Sequence, residues 1–221
     1  MRRKSFITTN EMENITEQIL TQYGFPLTWE GKPSVVPIDE IIEFHYNLDI
    51  SWEPIDHMGQ DGLVMAAIIP TKREIVMNDS CKELFKEKIG TMNFTMAHEL
   101  GHWVLHVEDK QNEQISFSFN DVNDVFYCRN LSKKPPEEYQ ADMFAGSLLM
   151  PRPIIEPLID NLKRSHEIIT FPHLYNVCDV FGVSISALKV RLHTLNLLYI
   201  DGNGKIHKSK EEYLGQIRLD I

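Results

Sequence analysis

Residues 94–106, Phe-Thr-Met-Ala-His-Glu-Leu-Gly-His-Trp-Val-Leu-His, constrain this chain more than any other segment. Wound as an α-helix at about 100° per residue with His98 at zero, His102 falls at about 40°, Thr95 at about 60°, His106 at about 80° and Glu99 at about 100°. Every other position from Phe94 onward is apolar or Gly. Such a helix is buried almost all round and carries one narrow polar stripe, so the fold must wrap it and the stripe must find partners.

Two imidazoles one turn apart can converge on a single Zn²⁺ at about 2.0–2.1 Å. Glu99 then stands beside the metal without binding it. A carboxylate there can take a proton from a metal-activated water and return it to a leaving amine. His98, Glu99 and His102 form His-Glu-x-x-His, a loose pattern by itself that gains weight from the apolar helix around it and from Gly101 inside it.

A catalytic zinc takes a third protein ligand. The route through a downstream Gly turn and a third His is closed, because Leu105 and Glu108 occupy those positions. A carboxylate from a second helix is the other route, and residues 137–151 offer one. Glu138 and Asp142 lie four apart on one face, beside Ala141 and Ala145, whose small side chains allow a close approach. Glu138 is the expected ligand, with Glu137 and Glu108 as alternatives, and Asp142 the acceptor that fixes an imidazole N–H. His106, on the same stripe, is either a substrate or ligand contact or a hydrogen-bonded core histidine.

Around this centre the chain reads as α+β. Helices are expected at 12–23, stopped by Gly24 and Pro26, and at 37–44, with Pro at its start. Short β-prone runs at 50–55, 62–70 and 74–77 suit a small sheet. A long helix over 84–106 follows. Residues 107–134 are polar and aperiodic, and Pro135-Pro136 precede the next helix. Helices at 154–163, 174–181 and 184–195 lead to a hairpin over 197–208 around Asp-Gly-Asn-Gly.

The expected division is a catalytic domain over 1–160 and a small helical segment with a hairpin and tail over 161–221. Residues 174–192 have the helix, Gly turn and Ser-capped second helix of a helix-turn-helix. DNA binding would use Lys189, Arg191 and His193. The alternative is a helix pair that packs on the core or holds substrate. With 22 Lys+Arg against 32 Asp+Glu the formal charge is −10, which disfavours broad attraction to nucleic acid or an anionic membrane and favours the packing reading.

No apolar run approaches the roughly 20 residues that span a bilayer, and no signal-peptide apolar core follows the N-terminal Met-Arg-Arg-Lys, so a cytoplasmic location is expected. Cys81, Cys128 and Cys178 are far apart, with no Cys-x-x-Cys pair, and read as reduced thiols.

Residues 94–106 together with Glu-Tyr-Gln-Ala-Asp-Met-Phe-Ala-Gly-Ser-Leu-Leu-Met-Pro (138–151) resemble the ImmA/IrrE family of zinc metallopeptidases. Ile75-Val76-Met77-Asn78 and Phe126-Tyr127-Cys128-Arg129 are similar to segments common there. The resemblance is strongest over residues 60–151. It implies a zincin-like fold, one Zn²⁺ per chain held by His98, His102 and Glu138, and Glu99 as catalytic acid/base. It further implies endopeptidase action in the cytoplasm on a protein partner, a helix-turn-helix repressor or antitoxin. Met92-Asn93 depart from the basic residue usual in the family before Phe-Thr. The competing readings are a metal-containing transcription regulator and a partner-binding regulatory protein with little proteolytic activity.

Overall fold

The computed structural model describes residues 6–58, 64–107, 115–116 and 135–215. It is an α+β fold in which helices cover a small sheet. Helix α1 (Thr9–Tyr23) begins at a capping box, with the Thr8 hydroxyl accepting from Glu11 N–H and the Glu11 carboxylate accepting from Thr8 N–H, and ends where Gly24 turns left-handed at φ 89°. A short α2 (Ile38–Glu40) runs directly into a π-helical turn, Ile41–His45.

Strands β1 (Asp49–Glu53), β2 (Ala66–Ile69), β3 (Glu74–Asn78) and β4 (Ile115–Ser116) form one sheet in the order β1-β3-β2-β4. β1 is parallel to β3, and β2 is antiparallel to both β3 and β4. Side-chain alternation along β2 divides the interior. Ala66 and Ile68 join the main core, while Ala67 and Ile69 pack with Ile55, Val64 and Val76 on the other face.

The helix expected over 84–106 is two helices, α3 (Lys82–Glu87) and α4 (Ile89–His106), because Lys88 leaves helical geometry at φ −129°, ψ 69°. Hydrophobic periodicity runs through a one-residue break of this kind without registering it. Past the break, Gly90 lies against the backbone at Val183 and Ser184, so the first turn of α4 packs on a partner more than ninety residues away in sequence.

The remaining helices are α5 (Pro136–Leu149), α6 (Arg152–Ser165), α7 (Phe171–Phe181) and α8 (Ile185–Thr194). α7 and α8 are joined through Gly182, left-handed at φ 62°, and Ser184, whose hydroxyl accepts from Ala187 N–H, as the turn and cap residues require. The expected hairpin is present as β5 (Tyr199–Ile200) and β6 (Ile206–His207), followed by α9 (Lys210–Tyr213). One buried apolar cluster extends from Met12 of α1 to Ile206 of β6, so the helices on either side of residue 160 share a core. Cys81 and Cys178 are buried free thiols, whereas Cys128 and the aperiodic segment around it lie outside the described residues. Among the described residues no helix is long and apolar enough to cross a membrane.

The contact at Gly90 gives the first test. A Cβ there would stand 2.6 Å from Ser184 N and 2.9 Å from Val183 Cα, both backbone atoms that cannot swing aside. Overpacking of this kind costs about 1–3 kcal/mol, more than the helix propensity that alanine returns. Gly90→Ala should therefore lower the unfolding free energy by about 1–2 kcal/mol in urea titration; unchanged stability would mean that the α4 to α7–α8 contact is loose.

Candidate metal centre

Helix α4 supplies the polar stripe and α5 faces it. Their approach is close because Gly101 has no side chain: a Cβ there would lie 3.2 Å from Ala141 Cα and 3.1 Å from a Phe144 ring carbon. Backbone against backbone at this point sets the acids of α5 beside the histidines of α4. His98, Glu99 and His102 are fully buried and Glu138 is nearly so.

Three donors converge. His98 Nε2 and His102 Nε2 are 2.9 Å apart. Glu138 Oε2 lies 3.4 Å from the first and Glu138 Oε1 3.3 Å from the second. Donors at about 2.0–2.1 Å from a tetrahedral zinc are separated from one another by roughly 3.3 Å, so these spacings fit one small cation without rearranging the backbone. Among the described residues, His98, His102 and Glu138 form the one group of three or more such side chains that can hold a metal ion.

Asp142, one turn after Glu138, sits with Oδ1 2.9 Å from His98 Nδ1. A carboxylate accepts only, so the proton belongs on Nδ1 and the neutral ring turns its Nε2 lone pair toward His102 and Glu138. His106 is half-buried at the end of α4, where its Nε2 donates to the Glu137 carbonyl at 3.2 Å. That bond ties the last turn of α4 to the first turn of α5. The Glu137 side chain itself is exposed, and Glu108 lies outside the described residues.

The charges of the protein alone make this a tense site. Burial pushes the His98 pKa down, but hydrogen bonds with Asp142 and Glu138 outweigh it and raise the group to about 9. At His102 burial prevails over the Glu138 hydrogen bond and lowers the pKa to about 4. Burial opposes ionisation of Glu138, yet its hydrogen bonds with His102 and His98 bring it to about 2. A divalent cation in this position favours the neutral form of both imidazoles and the ionised form of the carboxylate.

Glu99 is different in kind. It is completely buried, and neither carboxylate oxygen has a hydrogen-bond partner among the described residues. Burial raises its pKa to about 7, against the opposing charge of His98; the backbone of Ile68 on β2 favours the ionised form only weakly. An orphaned acid poised near neutrality next to a cluster of metal donors is a common mark of a reacting site, because a structural acid in this environment would be paired.

The sequence-based assignments therefore fall into place unevenly. His98, Glu99, His102, Glu138 and Asp142 come together, and His106 stands at the rim. Arg191, which the DNA-binding alternative would use as an outward cation, is buried at 2 % exposure and paired with Glu13, in keeping with the packing reading of the helix pair. Glu13 and Ser147, which meet Arg191 in the interior, went unnoticed in the sequence; no spacing rule joins residues so far apart. A separate groove of about 260 Å³ between α6 and α7, lined by Trp29, Leu162, His166, His173 and Val177 among others, shares no residue with the cluster.

Comparison with known proteins agrees with this geometry. No curated protein matches the chain. Residues 89–193, from the first residue of α4 through α5 to the last turn of α8, match the family model Peptidase_M78, IrrE N-terminal-like domain. The match contains all three donors, Glu99 and Asp142. Residues 89–193 are thus an IrrE N-terminal-like domain by their match to Peptidase_M78, the family that the two motifs resemble.

Proposed function

We propose that the chain is a zinc-dependent endopeptidase of the cytoplasm, with His98, His102 and Glu138 as the zinc ligands and Glu99 as the general base and acid. The observation that carries this reading is the juxtaposition of three convergent buried donors with a buried carboxylate whose oxygens have no hydrogen-bond partner among the described residues. A structural zinc site closes all four positions with protein ligands, whereas the three donors found among the described residues leave one for water or substrate.

When bound, zinc would supply Lewis acidity, lowering the pKa of a coordinated water and polarising the scissile carbonyl. The chain's own residues do the rest. Glu99, deprotonated, accepts the proton of the attacking water on a carboxylate oxygen and delivers it to the amine nitrogen as the peptide bond breaks. Its apolar surroundings keep the carboxylate basic enough for the first transfer and acidic enough for the second. Asp142 keeps His98 in the tautomer that presents Nε2, and His106 holds the rim of α4 against α5.

The proposed substrate is a protein regulator with a helix-turn-helix, as the family resemblance implies. The burial of Arg191 supports this over the regulator reading, since it removes one of the three cations with which α8 would meet DNA.

Metal content is the first check. The wild type should bind one zinc per chain, and His98→Ala or Glu138→Gln should lower zinc content after dialysis against a weak chelator. Retention of a full equivalent in either variant would reassign that ligand. Asp142→Ala should fold and weaken zinc binding by about 10–100-fold, as loss of a partner to a ligand does. An unchanged zinc titration would make Asp142 a bystander.

The reaction itself is tested by Glu99→Gln, which keeps size and burial and removes the base. Zinc-loaded wild type incubated with helix-turn-helix regulators encoded beside its gene should yield discrete fragments by mass spectrometry. The variant should bind zinc normally and cut about 10²–10⁴-fold more slowly. Equal cleavage by the two proteins would overturn the role given to Glu99.

A further inference from the structure

The two helices that carry the cluster are each gripped from outside by the α7–α8 pair. At the start of α4, Asn93 Nδ2 donates to the Gly182 carbonyl at 2.9 Å, beside the Gly90 contact with Val183 and Ser184. At the far end of α5, Arg191 of α8 donates from Nε and Nη2 to the Met150 carbonyl at 3.0 and 2.9 Å. Met150 is the C-cap that follows Leu149, the last residue of α5, and its carbonyl has no partner within the helix.

The same guanidinium is committed in every direction. Nη1 and Nη2 donate to the two oxygens of Glu13 on α1 at 2.5 and 2.7 Å, and Nη1 also donates to Ser147 Oγ at 3.1 Å. Ser147 Oγ in turn donates to Glu13 Oε1 at 3.0 Å. Arg191 and Glu13 are 2 % and 3 % exposed. A buried pair of this kind gains little stability over apolar replacements, because desolvation offsets the attraction. What a planar fork does confer is direction: Glu13 of α1, with Ser147 and the Met150 carbonyl of α5, can meet it in one arrangement only.

A helix is stiff, so fixing its C-terminal end also fixes the rotation of its first turn about 18 Å away. Glu138 and Asp142 project from that rod toward His98 and His102, and a modest roll of α5 would carry both away together. We propose that Arg191 is a positioning residue for the metal centre, setting the roll and axial register of α5 through the Met150 carbonyl, Ser147 and Glu13. The inference rests on the metal reading given above.

The test uses the full chain with three measurements: zinc affinity against a chromophoric chelator, the visible absorption of the cobalt(II)-substituted protein, and near-ultraviolet circular dichroism. Arg191→Lys keeps the charge that Glu13 needs but loses the fork. It should stay folded, bind zinc about 10–100-fold more weakly, as when a ligand's supporting residue is lost, and show a weakened cobalt band as four-coordinate geometry relaxes. A second variant, Glu13→Leu with Arg191→Met, removes both charges at once and guards against misfolding from a stranded ion. It should show native tertiary signal with the same loss of affinity.

Wild-type zinc affinity and an unchanged cobalt spectrum in either folded variant would overturn the inference and leave Arg191 a scaffold residue. Failure of the wild type to bind stoichiometric metal is a separate outcome, which overturns the metal reading and this inference with it.

Discussion

The structure depends on one close contact between two helix backbones. At Gly101 the chain of α4 comes so near Ala141 of α5 that even a methyl group would crowd the Ala141 Cα. Gly101 immediately precedes His102, and Ala141 immediately precedes Asp142. The absence of bulk at these two positions brings imidazoles from one helix and carboxylates from the other to within about 3 Å of each other. Without it, the buried stripe of α4 would face an apolar wall and its polar groups would be stranded.

That contact creates an electrostatic problem that a cation solves. Two imidazole nitrogens and a carboxylate crowd one point in a dry interior, and each pushes the ionisation of the others. Glu99, buried on the same helix with no hydrogen-bond partner among the described residues, adds a further acid whose ionisation burial opposes more strongly than His98 and the Ile68 backbone support it. Natural folds rarely tolerate such an arrangement unless function demands it, since each unsatisfied buried polar group costs stability. The sheet takes part as well, because β2 lies along α4 and puts the Ile68 backbone next to Glu99.

Much of this was legible in the sequence, for reasons particular to the residues concerned. The polar stripe of α4 declared itself because everything around it is apolar. Glu138, Asp142 and their alanine neighbours could be set on one face because helical spacing is fixed. The turn at Gly182 and the cap at Ser184 follow from backbone chemistry that few other residues supply. The buried pairing of Arg191 could not be read from the sequence, because its partner Glu13 is 178 residues away and leaves no periodic trace. The break at Lys88 escaped notice because the local pattern of apolar residues continues across it, while the close contact just past it, Gly90 against the backbone at Val183 and Ser184, is distant in sequence.

The central claim is that one metal ion is held by two imidazoles of α4 and a carboxylate of α5. X-ray absorption at the zinc edge of the stoichiometrically loaded protein reads this directly. The account predicts a four-coordinate shell of nitrogen and oxygen at about 2.0–2.1 Å, with the outer-shell scattering of two imidazole rings and no sulfur at about 2.3 Å. A sulfur shell, or an all-oxygen shell without imidazole scattering, would contradict it.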